Sequence, residues 1–231
     1  LKEHHKMKIS KRIKTVLVAA AAFITVFTGA VNVNQSFADT LSDIPIIGGL
    51  VEVLSFRFDS IETENVHANI ETPVISGLEN ETLEAVLNQK YYDENKALYE
   101  DFREEMKAIE AEGGHLGVDS GFVVKTDTDR ILSIGRYYVN TVASSSTTFK
   151  YDTVDKLEGV LLTLPSLFTD ERYVDMISEY LVQYMKDDMT QTPDNVYWVL
   201  EDDFTIFEKI KVDQYFYLTE NNKLVISFDK Y

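Results

Sequence analysis

The sequence predicts an α+β fold: a largely antiparallel sheet packed with one long and one shorter helix, preceded by a single N-terminal transmembrane or signal-like helix. Three observations lead there. Residues 15–38 form an uncharged, mostly apolar run, one apolar stripe of helical period lies between residues 83 and 109, and period-two alternation recurs over residues 115–155 and again at the C-terminus.

The N-terminal 14 residues hold six basic side chains (Lys2, Lys6, Lys8, Lys11, Arg12 and Lys14) and one acid, Glu3. At about 1.5 Å per residue, the uncharged run that follows can cross a hydrocarbon core of about 30 Å. The basic flank makes residues 1–14 a cytoplasmic stub and places everything after Ala38 outside. Two readings fit the run. It is a membrane anchor, or it is a secretory signal cut after the small-residue pattern Ser36-Phe37-Ala38. The stretch "TVLVAAAAFITVFTGAV" is long for a signal and rich in alanine for an anchor. The sequence opens at Leu1 rather than at a methionine, and a piece truncated at both ends is expected.

The chain carries 22 basic and 39 acidic residues; six and one lie within residues 1–38, which leaves 16 and 38 beyond them, a formal charge of −22. Such acidity keeps an exported domain soluble. It also suits a basic partner, because opposite potentials steer encounter, and it disfavours nucleic acid. There is no cysteine, so disulfides and thiol chemistry are excluded, which fits a Gram-positive surface. Beyond the membrane run the expected division is a juxtamembrane linker (39–58), an N-terminal ectodomain module (59–156) and a C-terminal module (157–231).

The linker carries Pro45 and the Gly48-Gly49 pair, and reads as a short helix or turn followed by an extended segment. Alternation over residues 60–75 predicts a strand or two, ended by Pro73 and Gly77. Asn80 caps a helix over residues 81–112, on which Leu83, Leu87, Tyr91, Leu98, Phe102, Met106 and Ile109 recur at steps of three, four or seven before Gly113-Gly114 ends it. The runs "GFVVKT", "ILSIGRYYVNT" and "SSTTFKYDTV", joined by turn signals at 127–130 and at the serine run, predict an antiparallel meander. After Pro165, Thr169 is expected to cap a second helix with Val174, Ile177, Leu181, Tyr184 and Met185 on one apolar face. Residues 194–211 read as a short helix or irregular chain, and Glu220-Asn221-Asn222 marks a closing hairpin.

No catalytic set emerges. His67 and His115 stand alone, without a second ligand at helical spacing, so no metal site is expected. Ser144-Ser145-Ser146 lacks the glycines of a nucleophile elbow, and there is no phosphate-binding glycine loop. The acids Glu201-Asp202-Asp203 and Asp127/Asp129 lack EF-hand spacing and read as solvated loops. Asn80-Glu81-Thr82 matches a glycosylation sequon and reads as a helix cap. Tyr137, Tyr138, Tyr151, Tyr197, Trp198, Tyr215 and Tyr217 lie on or near the β patterns; a subset left exposed would suit a protein-binding face. The small-residue segment "ASSST" reads as a hairpin tip or as a place where a partner approaches closely.

Taken in order, "VNVN", "LSDIPIIGGLVEVLSF", "TPVISGL", "KYYDENKALYEDF", "GHLGV", "ILSIGR", "ASSST", "LLTLPSLFTDERYVDMIS", "DNVYW" and "FYLTENNKLVISFDKY" resemble the RsiV-type anti-sigma factors. The last two blocks are also similar to a C-terminal module of some peptidoglycan deacetylases, whose separate catalytic domain has no counterpart here. The resemblance implies a single-pass membrane protein of the stress response. It holds an extracytoplasmic-function sigma factor inside and binds lysozyme outside. Lysozyme binding exposes the juxtamembrane site to signal peptidase, and an intramembrane protease then releases the sigma factor. On this resemblance the cut falls at Ser36, Ala38 and Asp39, with Ala38–Asp39 as the scissile bond and residues 44–54 as its shield. Lysozyme contact falls on Ala143, Ser144, Ser145, Ser146 and Thr147 beside the C-terminal hairpin. The common animal lysozyme is basic, which matches the acidity beyond residue 38. Neither catalysis nor a cofactor is expected. The alternative is a membrane-anchored or secreted protein that binds peptidoglycan.

Overall fold

The structure, a computed structural model, describes residues 51–63, 65–112, 114–141, 145–197, 199 and 207–229. The run 15–38, the cleavage motif Ser36, Ala38 and Asp39, and the contact candidates Ala143 and Ser144 lie outside the described residues. The chain forms two compact units. One is Thr163–Gln214; the other holds the sheet described next together with the C-terminal stretch from Tyr215.

The sheet unit runs β1 (Glu52–Glu62), β2 (Val66–Ser76), α1 (Glu81–Glu112), β3 (Leu116–Asp127), β4 (Ile131–Thr141), β5 (Ser145–Asp155) and β6 (Val160–Leu162). The six strands lie side by side in chain order. Every neighbouring pair is antiparallel except β2 and β3, which are parallel. The exception follows from connection length. Short turns return the chain antiparallel, whereas the long helix α1 carries it back to the starting end of the sheet. The meander β3–β4–β5 is the one the sequence predicts. The sheet as a whole is mixed, because of the parallel pair.

The first turn of α1 is held by Asn80, whose side-chain oxygen accepts the Leu83 N–H at 3.0 Å while its amide nitrogen donates to the Gly159 carbonyl at 2.8 Å. The apolar stripe of α1 then divides. Leu83, Leu87 and Tyr91 pack with Ile75, Leu132, Ile134 and Val154. Phe102, with Leu98, Met106 and Ile109, packs with Val66, Ala68, Ile70, Leu116 and Val118. Both clusters fill the space between α1 and one face of the sheet, here called the inner face.

Between the clusters the helix is polar, and the sheet needs it to be. β2 pairs with β3 only over residues 66–70. Past Ile70 the edge of β2 has no strand partner on that side among the described residues, and α1 supplies hydrogen bonds there. Asn88 accepts from the Ile75 N–H at 2.8 Å and donates to the Ile75 carbonyl at 2.7 Å. Asn95 donates to the Glu71 carbonyl at 3.1 Å and to the Thr72 hydroxyl at 2.7 Å. A buried backbone group without such a partner costs about 1–3 kcal/mol.

The chain leaves the sheet after β6 and returns as a hairpin, β7 (Phe216–Leu218) with β8 (Leu224–Ile226). The hairpin falls where the sequence predicts it, and its turn contains Asn222 at φ +54°, a left-handed conformation that asparagine tolerates. The hairpin lies on the sheet face opposite α1. The Leu218 carbonyl accepts the Thr126 hydroxyl and, at 3.4 Å, the Ser133 hydroxyl.

In the second unit a short 3-10 turn (Pro165–Leu167) precedes α2 (Arg172–Gln191). One sequence expectation fails here. Thr169 does not cap α2; the cap position is Glu171, which makes no side-chain cap hydrogen bond, and just before it the Asp170 carboxylate accepts the Arg172 N–H at 3.0 Å and the Arg172 guanidinium at 2.7 Å. The buried side is centred on Tyr173 and Ser178, so Tyr184 falls outside it and is 54% exposed. Tyr173 stacks on Phe168 at 4.5 Å and donates to the Val212 carbonyl, while Ser178 accepts the Ile210 N–H.

Replacing Asn88 by alanine strands two buried backbone groups of Ile75. The expected cost is about 2–4 kcal/mol in urea denaturation, against less than about 0.5 kcal/mol for Val124→Ala on the exposed part of β3.

Candidate functional site

Alternation along β4 sends Leu132 and Ile134 into the α1 cluster and turns Ser133, Gly135 and Tyr137 to the outer face. Their partners on β5 follow the same rule. Asp152 and Val154 face α1; Thr147, Phe149, Tyr151 and Thr153 face outward.

A bulge in β3 sharpens this face. Val124 pairs with Ile134 and Thr126 with Ser133, so Lys125 is one residue extra. Two consecutive residues then serve the outer side, which regular alternation forbids and a bulge permits. Thr126 donates to the Leu218 carbonyl, and the Lys125 ammonium lies 5.9 Å from the centroid of the Phe149 ring and 5.7 Å from that of Tyr217.

Four rings run across this face in contact. Tyr137 meets Phe149 at 6.0 Å, Phe149 stacks on Tyr151 at 5.8 Å, and Tyr151 stacks on Tyr217 of the hairpin at 5.2 Å. Two glycines make room for them. A Cβ at Gly135 would sit 2.7 Å from Cε1 of Tyr151, and one at Gly121 would sit 2.5 Å from the Tyr137 hydroxyl. Burial, then Asp119 and Glu71, push the Tyr137 hydroxyl pKa up. At the β5 edge, Asp229 accepts the Phe149 N–H at 3.2 Å.

The inner side of the same strands carries an ion network. Asp152 meets Lys90 at 2.8 Å and Arg136 at 3.1 Å; Glu94 meets Arg136 at 2.9 Å and Lys150 at 2.8 Å. The Arg136 guanidinium also lies 4.4 Å from the centroid of the Tyr91 ring. Burial acts to raise the Asp152 carboxyl, but Lys90 and Arg136 outweigh it and hold the group below the usual carboxylate range. Glu94 is likewise lowered, with Arg136 and Lys150 prevailing over burial.

The contact candidates from the sequence fall at the start of β5. Ser145 pairs with Thr141 at the hairpin end, Ser146 is exposed opposite Asn140, and Thr147 opposite Val139 shares the outer face with Phe149. β6 covers only residues 153–155 of β5, so among the described strands the edge over 145–151 has no strand neighbour on that side. His67 lies beside Glu62, and among the described residues no group of three or more His, Cys, Asp or Glu is placed to hold a metal ion. Sequence reading singled out Tyr137, Tyr151 and Tyr217 but missed Phe149, Lys125, Gly121 and Gly135. The glycines become legible only once the β3–β4–β5 register sets them opposite tyrosines.

Residues 8–99 match the model of a domain of unknown function, DUF4179. Over 213 residues the chain is 41% identical to the anti-sigma-V factor RsiV of Bacillus subtilis strain 168, an alignment covering 92% of this chain and 74% of that protein. This chain belongs to the RsiV family of anti-sigma factors. At that coverage the RsiV relationship is not confined to one of the two units. Two solved DUF3298-family proteins are more distant. One, from Bacteroides fragilis, has a TM-score of 0.46 at 17% identity, covering 74% of this chain and 80% of that one. The other, from Pseudomonas aeruginosa, has a TM-score of 0.40 at 12% identity, covering 65% and 70%. Both likenesses are too remote to bear on function.

The ion network has a pH signature. Carboxyls whose folded pKa is depressed contribute stability that is complete above the ordinary carboxylate range and is lost as pH falls through the folded value. Stability is expected to decline below about pH 4, and Asp152→Asn should lower stability at neutral pH while flattening that decline, as read by urea denaturation across pH.

Proposed function

We propose that this chain is the sensing part of a membrane-anchored anti-sigma factor whose acidic outer domain binds lysozyme. Binding leads to signal-peptidase cleavage at Ala38–Asp39, and an intramembrane protease then frees an extracytoplasmic-function sigma factor. What carries the reading is the 41% identity to anti-sigma-V factor RsiV over 92% of the chain. Three features support its finer parts. The run 15–38, with its basic N-terminal flank, suits a single span oriented with residues 1–14 inside. Among the described residues, which exclude that run, no helix is long and apolar enough to cross a membrane. The formal charge of −22 beyond residue 38 suits a basic ligand. Thr147 shares its sheet face with an aromatic row, the residue class enriched at binding hot spots. The role is regulatory rather than catalytic.

Calorimetric titration of the chain with basic animal lysozyme at two salt concentrations tests the ligand. One-to-one binding that weakens with salt is expected, and Thr147→Lys should weaken it further. Failure to bind while pelleting with purified peptidoglycan would instead favour a wall-binding protein. Ala38→Trp is expected to abolish lysozyme-dependent processing in cells, scored by immunoblot of the cleaved product; processing that persists would move the cut elsewhere.

A further inference from the structure

The outer aromatic row holds a cation of the chain's own. Lys125 sits on the bulge of β3 and is exposed, and its ammonium lies within 6 Å of two ring centroids, Phe149 at 5.9 Å and Tyr217 at 5.7 Å. The neighbouring acid Asp127 is engaged elsewhere, accepting Lys156 at 2.8 Å. Among the described residues, the Lys125 ammonium lies over these two rings and meets no carboxylate.

Ring faces carry negative quadrupolar charge and attract ammonium and, more often, guanidinium groups. The Phe149 and Tyr217 rings are joined through Tyr151 into one stack. The stack is flanked by carboxylates. Asp119, which accepts the Asn69 amide at 3.3 Å, and Glu71, which pairs with Arg57 at 3.7 Å, act on Tyr137 at one end, and Asp229 accepts the backbone N–H of Phe149. The surface is therefore built to receive positive charge, and Lys125 occupies it through contacts weak enough to exchange.

We propose that this aromatic row is the receiving site for an arginine or lysine side chain of the basic ligand, and that Lys125 is an internal stand-in which the ligand displaces. The proposal rests on the reading of the chain as a receptor for a basic protein and names the chemistry of that recognition. Lys125 lowers affinity in two ways: it covers the rings and it repels the incoming cation. Its displacement leaves the rings paired with a cation in both the free and the bound state, so the exchange keeps them in contact with positive charge throughout.

Binding of hen egg-white lysozyme to the full chain at low salt tests this. The comparison uses wild type, Lys125→Met, Lys107→Met as an equal charge change on α1, and each of these in a Phe149→Leu background. Lys125→Met is expected to bind about two- to fivefold more tightly than Lys107→Met, the range an exposed cation–ring contact supplies. Phe149→Leu should erase that difference, and Lys125→Gln should reproduce it. Equal effects of the Lys125 and Lys107 changes, or a gain that survives Phe149→Leu in folded protein, overturn the displacement. If wild type binds no lysozyme, the ligand reading fails on its own account. The cation site is then read by NMR titration of Lys125→Met with N-acetyl-arginine amide. Shifts confined to the Phe149 and Tyr217 ring signals uphold it, and their absence removes it.

Discussion

The sheet unit depends on the polar middle turns of α1. Asn88 and Asn95 close the edge of β2 where it parts from β3, and Lys90 and Glu94, a few residues along the same helix, grip β4 and β5 through Asp152, Arg136 and Lys150. One short helical stretch thus ties β2 to β4 and β5, across the seam where β2 and β3 part. The apolar clusters on either side supply the burial, but a greasy stripe alone would tolerate a helix that slides or rotates. The amides and charges have geometric requirements that only one register meets.

Fixing the helix on the inner face frees the outer face for another use. There the residues are set by spacing rather than by charge: glycines opposite tyrosines, a bulge that turns Lys125 and Thr126 the same way, and a hairpin whose single carbonyl, that of Leu218, collects two hydroxyl donors. The same strands carry both arrangements, because alternation keeps the two sets of side chains apart.

Much of this was legible in the sequence. The helix 81–112 with its Asn80 cap, the three-strand meander and the hairpin turn at Asn222 all follow from local periodicity and turn chemistry. The stripe even shows its interruption, since the step from Tyr91 to Leu98 spans Glu94 and Asn95. What that interruption is for depends on β2 and β3 being parallel and diverging, a long-range fact with no local signal. The helix α2 misled for a related reason. Tyr184 continues the apolar spacing, but burial there is decided by Tyr173 and Ser178 and the chain segments that pack on them. Of the candidate contact residues, position 147 could be placed on a face as soon as β5 was aligned with β4. The lysine in the aromatic row escaped notice because the bulge breaks the alternation that would have assigned it a side.

The hairpin on the outer face lies far along the chain from the meander it packs on, and the Leu218 carbonyl meets a threonine 92 positions earlier. Between them lies the whole of the unit Thr163–Gln214. During synthesis in the N-to-C direction, the meander emerges early with Thr126 and Ser133 still lacking their acceptor and Tyr151 lacking its stacking partner. The outer face is complete only when the hairpin arrives. A chain that stalls short of it carries the strands of the sheet without the completed outer face, so the local meander and the long-range face are separate stages of folding.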